Sequence, residues 1–156
     1  MAKHRGREIT MKNFTIVFLA LVLSSAGTEA CKCREIVERD NICSSDFVGI
    51  VRSNDSGTIT EERRKTYAIQ VSEVWRIASG KNVPVTLETS ESSASCGVDL
   101  TARSEYLLTG TIKSGGSLFI SSCGSIVREV SSLDNEKKNE LKGYSDSCSP
   151  TSVCCA

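Results

Sequence analysis

The chain is short of histidine, with a single one, His4, near the start of the sequence. A catalytic Ser-His-Asp or Cys-His arrangement needs an imidazole, and the usual mixed zinc sites need one as a ligand. Residues 1–30 have the layout of a removable leader, and without them no histidine remains. We therefore expect no enzyme, because paired carboxylates are the one remaining acid–base option and no spacing singles out such a pair.

Aromatic residues are also few, at 5% of the chain. So small an aromatic core suits a domain that gains part of its stability from covalent cross-links. The 19 basic and 19 acidic residues balance, and no run of like charge is long enough to indicate nucleic-acid binding. The longest apolar run is shorter than the roughly 20 residues that span a bilayer, so we expect no membrane insertion.

Residues 1–30 are typical of a secretory signal peptide. Basic residues precede the apolar run 14–23, and small residues follow it up to Ala30. We predict cleavage after Ala30, which leaves one domain, residues 31–156, secreted to the extracellular space. The alternative is that the segment is retained as a membrane anchor. Cleavage would make Cys31 the first residue of the mature chain, with a free α-amino group.

All eight cysteines lie after this segment, and an even number in a secreted chain indicates disulfides. Their number alone does not determine which cysteine bonds to which. The positions are Cys31, Cys33, Cys43, Cys96, Cys123, Cys148, Cys154 and Cys155.

Apolar residues between turn signals predict five strands, at 46–51, 66–77, 83–88, 105–112 and 117–121, and they alternate with polar residues in 66–77 and 83–88. A two-turn helix is predicted in 34–42, and a second helix opens at Ser131 and ends at Gly143. The Ser-rich stretch 89–95 is predicted to be flexible. Together these elements predict an all-β fold with flanking helices, a five-stranded Greek-key, OB-fold-like barrel stapled by disulfides. A Ser/Cys-rich tail follows from about residue 144.

Two surface features have alternative interpretations. Asn54 begins an Asn-x-Ser sequon in a predicted turn, so it is a candidate glycosylation site. Residues 61–65 place three basic residues next to two acidic ones. This run is either a solvated loop or strand rim, or a basic docking patch.

The cysteine series resembles the tissue inhibitors of metalloproteinases. Cys-x-Cys stands at the predicted mature N-terminus, Cys43 follows ten residues later, and Ser95-Cys96-Gly97 ends a Ser-rich connector. The stretches 107–112 and 118–123 are similar to that family's last hairpin. The resemblance covers residues 31 to about 148, and it is to the family's N-terminal, netrin-like domain alone.

The resemblance implies three disulfides, namely Cys31–Cys96, Cys33–Cys123 and Cys43–Cys148. Cys154 and Cys155 have no counterpart in it, and they could bond to each other or to another chain. It also implies a monomer with no cofactor of its own. Its partners would be secreted or cell-surface zinc metalloproteinases, whose zinc is shared in the complex.

The implied mechanism is chelation of the protease's zinc by the backbone amine and carbonyl oxygen of Cys31. The implied inhibitory ridge consists of Cys31, Lys32, Cys33, Arg34, Ser93, Ala94, Ser95 and Cys96. Lys32 departs from the Thr or Ser that is usual in the family, where this side chain enters the protease's apolar S1′ pocket. A buried, unpaired ammonium would be costly there. The alternative function is a netrin-like extracellular binding module without protease inhibition.

Overall fold

A computed structural model describes residues 31–148, so the predicted signal segment and the cysteines Cys154 and Cys155 lie outside the described residues. The elements in chain order are helix α1 (Glu38–Ser44), strands β1 (Phe47–Ser53), β2 (Thr58–Ile59), β3 (Arg64–Ile77), β4 (Thr86–Ser90), β5 (Glu105–Ile112), β6 (Leu118–Phe119) and β7 (Val127–Glu129), and helix α2 (Asn135–Ser147). Two short 3-10 helices, Ser93–Ser95 and Val130–Ser132, lie between them.

Five strands form a closed barrel, which confirms the predicted fold class. They follow one another in the order β1, β3, β4, β6 and β5, and β5 pairs back onto β1. The closing pair is antiparallel and runs from Phe47 opposite Gly110 to Arg52 opposite Glu105. The pair β4 and β6 is parallel, and the other barrel pairs are antiparallel. Closure removes the unpaired edges that an open sheet would expose.

Two apolar clusters hold the elements together. The first fills the barrel and includes Phe47, Tyr67 and Leu87, none of which is exposed. The second lies between the barrel and the helices, where Ile42 of α1 and Leu141 of α2 pack on the outward face of the barrel. Trp75 packs against this second cluster, in agreement with the interpretation of its ring as an anchor of the core or rim.

The predicted first helix begins too early. Residues 31–37 have no regular secondary structure, and α1 starts only at Glu38. Val37 precedes the helix in an extended conformation, with φ of −71° and ψ of 119°. Glu38 and Asp40 in the first turn then favour the helix start electrostatically.

The strand boundaries predicted after β3 are also partly wrong. β4 begins at Thr86, because its pairing with β3 runs only from Ala68 opposite Thr86 to Arg64 opposite Ser90. Val83 and Val85, which suggested an earlier start, are exposed. β6 has two residues in place of the predicted five, and the short strands β2 and β7 were not predicted.

Helix α2 is shifted along the chain from its predicted position. Its cap is Asp134, whose carboxylate accepts a hydrogen bond from the backbone N–H of Lys137. Ser131 and Ser132 belong to the preceding 3-10 helix, and Gly143 lies inside α2, which continues to Ser147. Between residues 31 and 148, no helix combines the length and the apolar character needed to cross a membrane.

The second cluster predicts a large effect of truncating Leu141, whose side chain is fully buried. We expect Leu141→Ala to lower the free energy of unfolding by about 2–5 kcal/mol, because it leaves a cavity under α2. Lys142→Ala, at an exposed neighbouring position, should change it by no more than about 0.5 kcal/mol. Denaturant unfolding followed by circular dichroism measures both, and equal effects would contradict the assigned packing.

Candidate functional site

The segment that precedes α1 is an exposed strip held by two disulfides. Cys31 is half-buried, whereas Lys32, Cys33 and Arg34 are exposed. Cys31 is bonded to Cys96 and Cys33 to Cys123, with Cα atoms 5.3 and 4.8 Å apart. The third disulfide joins the end of α1 to the end of α2 through Cys43 and Cys148, at 5.3 Å. The structure therefore contains the three pairs that the family resemblance implies.

The sulfur atoms of the first two disulfides lie close together. Sγ of Cys123 is 3.0 Å from Sγ of Cys31 and 3.5 Å from Sγ of Cys96. Neither contact is a hydrogen bond, because a disulfide sulfur carries no hydrogen. The sulfurs of Cys31, Cys33 and Cys123 also come within 4.8 Å of one another. Metal binding requires thiolates, so these bonded sulfurs do not form a metal site.

The connector that leads to Cys96 has a defined structure, although its composition predicted flexibility. Ser93–Ser95 form a 3-10 helix, and the side chains of Ser92 and Ser95 cap it reciprocally. Cys96 then adopts a left-handed conformation with φ of 62°. This reverses the chain, and the Gly97 N–H donates to the Ser92 carbonyl oxygen at 2.8 Å. A left-handed residue other than glycine is uncommon, and here it directs the cysteine side chain toward the strip.

The two loops that carry Cys96 and Cys123 are joined to each other directly. The backbone N–H of Ser122 donates to the carbonyl oxygen of Cys96 at 2.9 Å. With the two disulfides, this bond brings residues 31–34 and 93–96 to one place on the surface. All eight residues of the predicted ridge therefore lie together, six of them exposed and Cys31 and Cys96 half-buried.

The run 61–65 lies beside the connector but is not a free basic patch. Arg63 donates through Nε to a carboxylate oxygen of Glu91 at 2.9 Å, and Lys65 donates to Asp99 at 2.6 Å. These hydrogen bonds raise the pKa of the Arg63 guanidinium and the Lys65 ammonium above their ordinary values. The paired charges favour the interpretation of this run as a solvated strand rim.

A groove continues from the connector along this rim. Arg64 places its guanidinium 5.2 Å from the ring centre of Phe119, and Lys113 places its ammonium 4.6 Å from the same ring. Lys113 also donates to Glu88 at 2.8 Å, and this hydrogen bond lowers the pKa of that carboxyl group. The ridge therefore borders a surface on which Arg63, Lys65 and Lys113 are each paired with a carboxylate, whereas Lys32 and Arg34 within the ridge form no ion pair among residues 31–148.

The candidate glycosylation site lies on the surface. Asn54 follows the last residue of β1 and is exposed, and its backbone N–H is bonded to the carbonyl oxygen of Ala68. An exposed amide in a turn is the geometry that glycosylation needs, and its modification stays a prediction.

Sequence reasoning missed the buried polar residues beneath the ridge. Thr89 and Thr109 are fully buried, and Asn41 is 7% exposed. All three bond to the loops that carry Cys96 and Cys123 or to their flanks. The one available signal was Thr109, a threonine inside a predicted strand where an apolar residue would be expected, whereas Thr89 fell in the stretch predicted to be flexible.

Two sequence comparisons and one structural comparison relate the chain to known proteins. The family model described as "Tissue inhibitor of metalloproteinase" matches residues 29–156. The chain is 28% identical over 138 residues to a Caenorhabditis elegans protein named "Putative metalloproteinase inhibitor tag-225", covering 80% of this chain and 87% of that protein. A solved structure, Ancylostoma ceylanicum Excretory-Secretory Protein 2, is similar with 20% identity and a TM-score of 0.41, covering 76% of this chain and 99% of that one.

The close packing of the connector predicts that Gly97 cannot be replaced. A Cβ atom at this position would clash with the carbonyl oxygen of Ser90 and lie 2.8 Å from that of Ser92. We expect Gly97→Ala to lower the free energy of unfolding by about 1–3 kcal/mol, because backbone atoms would have to move. Gly115→Ala is the matched control, since no atom lies within 4 Å of its added Cβ. If denaturant unfolding shows comparable losses of free energy of unfolding for both variants, the close packing of the connector is contradicted.

Proposed function

The chain belongs to the tissue inhibitor of metalloproteinase family, and we propose that it is a secreted inhibitor of zinc metalloendopeptidases and not itself an enzyme. One structural observation supports this proposal above the others. Two disulfides converge on Cys31 and Cys33 and present the backbone between them at the surface. A strip of chain that only had to complete the fold would not need both of its cysteines tied to loops while its other side chains stay exposed.

The proposed reactive atoms are the backbone nitrogen and carbonyl oxygen of Cys31. A catalytic zinc has three protein ligands and one open position, where the attacking water binds. Once the leader is removed after Ala30, the new α-amino group and the adjacent carbonyl can occupy that position as a compact chelate. An α-amino group has a pKa of about 8, so zinc can displace its proton near neutral pH. The inhibitor then needs no cofactor of its own.

The disulfides matter here because they order the strip before it meets the protease. Chain termini normally fray, and a frayed strip would lose conformational entropy on binding. The closed loops span 65 and 90 residues of sequence. Loop closures of this length stabilise the folded state by about 4 kcal/mol each in a chain-entropy estimate. The same bonds thus stabilise the barrel and lower the entropic cost of binding.

Lys32 is the residue we propose to select the target. It follows Cys31 directly and its side chain is exposed, so it would extend into the S1′ pocket of a bound protease. An apolar pocket would have to bury the ammonium without a partner, which is unfavourable. A deep pocket that lets the ammonium reach water, or one that carries an acidic group, would accept it. We therefore propose a metalloproteinase with such a pocket as the partner.

A netrin-like binding module without protease inhibition is the second candidate, and Lys32 is the observation that favours it. N-terminal sequencing of the secreted protein separates the two. A first residue at Cys31 supports chelation, because the amine is then adjacent to the half-cystine. A first residue upstream of Cys31 favours the binding module, because additional residues would occupy the space that the zinc needs.

Chelation predicts that one additional residue before Cys31 abolishes inhibition. We expect a protein that begins with Ala30 to inhibit at least about a hundredfold more weakly than one that begins with Cys31, because the α-amino ligand is lost. Titration against a panel of purified zinc endopeptidases measures this. Circular dichroism and disulfide mapping should show the same fold in both forms, and equal inhibition by both would exclude chelation by Cys31.

The assignment of Lys32 predicts a change in selectivity. We expect Lys32→Met, which keeps most of the stem and removes the charge, to improve inhibition of proteases with apolar S1′ pockets by about tenfold. It should weaken inhibition of those whose pocket carries an acid. Lys142→Met on the exposed face of α2 is the control and should change neither. An unaltered order of preference across the panel would be evidence against the S1′ assignment.

A further inference from the structure

Two threonines in the barrel strands are completely buried. Thr89 in β4 and Thr109 in β5 both have an exposed fraction of 0%. Burying a hydroxyl is unfavourable unless it forms hydrogen bonds, so each of these side chains needs partners. In both cases Oγ1 accepts a hydrogen bond from the backbone of a loop.

Thr89 anchors the loop that follows Cys96. Its Oγ1 accepts a hydrogen bond from the backbone N–H of Val98 at 3.1 Å. Two more N–H groups of this loop also donate to side-chain hydroxyl groups. The N–H of Leu100 donates to the Tyr67 hydroxyl at 3.1 Å, and that of Thr101 donates to the Tyr106 hydroxyl at 2.9 Å. Side-chain hydroxyl groups thus replace the strand pairing that this irregular segment lacks.

Thr109 anchors the loop around Cys123. Its Oγ1 accepts from the backbone N–H of Ile126 at 2.8 Å and donates its one hydrogen to Oδ1 of Asn41. The amide group of Asn41 then donates from Nδ2 to the carbonyl oxygen of Gly124 at 3.0 Å. Because the hydroxyl has only one hydrogen, this arrangement sets the orientation of the Asn41 amide. A continuous chain of hydrogen bonds connects β5, α1 and the residue after Cys123.

From these contacts we propose that Thr89 and Thr109 are positioning residues for the inhibitory ridge. Each holds the loop that carries the disulfide partner of one ridge cysteine, Cys96 for Cys31 and Cys123 for Cys33. Residues 31–37 have no regular secondary structure of their own, so the two loops set where the strip lies. The proposal rests on the proposed function, to which it adds the residues that orient the reactive backbone.

The test distinguishes the effect of losing the hydroxyl group from the effect of changing the volume of the side chain. Thr89→Val and Thr109→Val keep the shape and remove the hydroxyl, whereas Thr89→Ser and Thr109→Ser keep the hydroxyl and remove a methyl group. We expect the inhibition constants of the valine variants to rise by about tenfold, while the serine variants keep most of the inhibition. Thr111→Val, at an exposed position of β5, is the control and should match the unmodified chain.

Amide hydrogen exchange supplies a readout that does not depend on any protease. In the valine variants we expect the N–H groups of Val98 and Ile126 to exchange about tenfold faster, because each loses the hydroxyl that accepts its hydrogen bond. Amides in the β1–β3 ladder should not change. If the unmodified chain inhibits no protease and exchange still follows this pattern, the proposed function fails and the positioning role stands.

Two results would overturn the proposal. One is that the serine variants lose as much inhibition as the valine variants, which would indicate that packing, and not the hydroxyl group, positions the loops. The other is unchanged exchange at Val98 and Ile126. If the valine variants do not fold, Tyr106→Phe tests the same loop through the donor Thr101, with Tyr144→Phe on α2 as the matched control. Equal exchange at Thr101 in those two variants would then refute the role of the hydroxyl groups.

Discussion

The structure depends on one covalent constraint, the attachment of a short exposed strip to two separate loops of a barrel. Cys31 and Cys33 are two residues apart, yet their partners Cys96 and Cys123 belong to different loops. This arrangement fixes both the position and the direction of the backbone between them. Helix α1 begins only at Glu38, after this attached strip. The function we propose uses atoms of this backbone, so the constraint is shared by fold and site.

The two disulfides can fix the strip only because the barrel to which they attach it is itself well ordered. The barrel supplies that platform because β1 and β5 close it, and because an apolar cluster fills it while a second one holds both helices. The loops that meet the strip are irregular, and backbone hydrogen bonds such as that from the Thr109 N–H to the Ile126 carbonyl oxygen hold part of them. The buried hydroxyl groups of Thr89, Tyr67, Tyr106 and Thr109 accept hydrogen bonds from further N–H groups of these loops or their flanks. Polar groups inside the barrel therefore connect the stability of the core with the geometry of the ridge.

The rim beside the connector and the strip differ in whether their basic side chains are paired with acidic groups. On the rim beside the connector, Arg63, Lys65 and Lys113 are each bonded to an acidic group. In the strip, Lys32 and Arg34 are exposed and form no such bond within the described part of the chain. The opposite charges of each pair lie within 3 Å of each other, so they largely cancel toward a partner. The unpaired cations of the strip are the charges that a partner would encounter, which is why we assign selectivity to Lys32.

Strong local patterns were sufficient to predict much of this molecule. Alternation in residues 66–77 and the apolar run within 105–112 predicted β3 and β5 almost residue for residue, because a strand buried on one face alternates and one buried on both faces is apolar throughout. The position of the cysteines identified the family. The same reasoning failed for the start of β4 and for the Ser-rich connector, where pairing with β3 and a reciprocal serine cap decide the conformation.

The sequence by itself determined the class of fold and the family, because periodicity and cysteine spacing can be read along the chain, and through the family resemblance it predicted the residues of the ridge. Only the tertiary structure decided that these eight residues meet, since residues 31–34 and 93–96 are about sixty positions apart and are joined by disulfides and the Ser122–Cys96 hydrogen bond. It alone also revealed Thr89 and Thr109 as anchors. The role of a buried hydroxyl depends on which loop passes over it, and that depends on how the whole barrel closes.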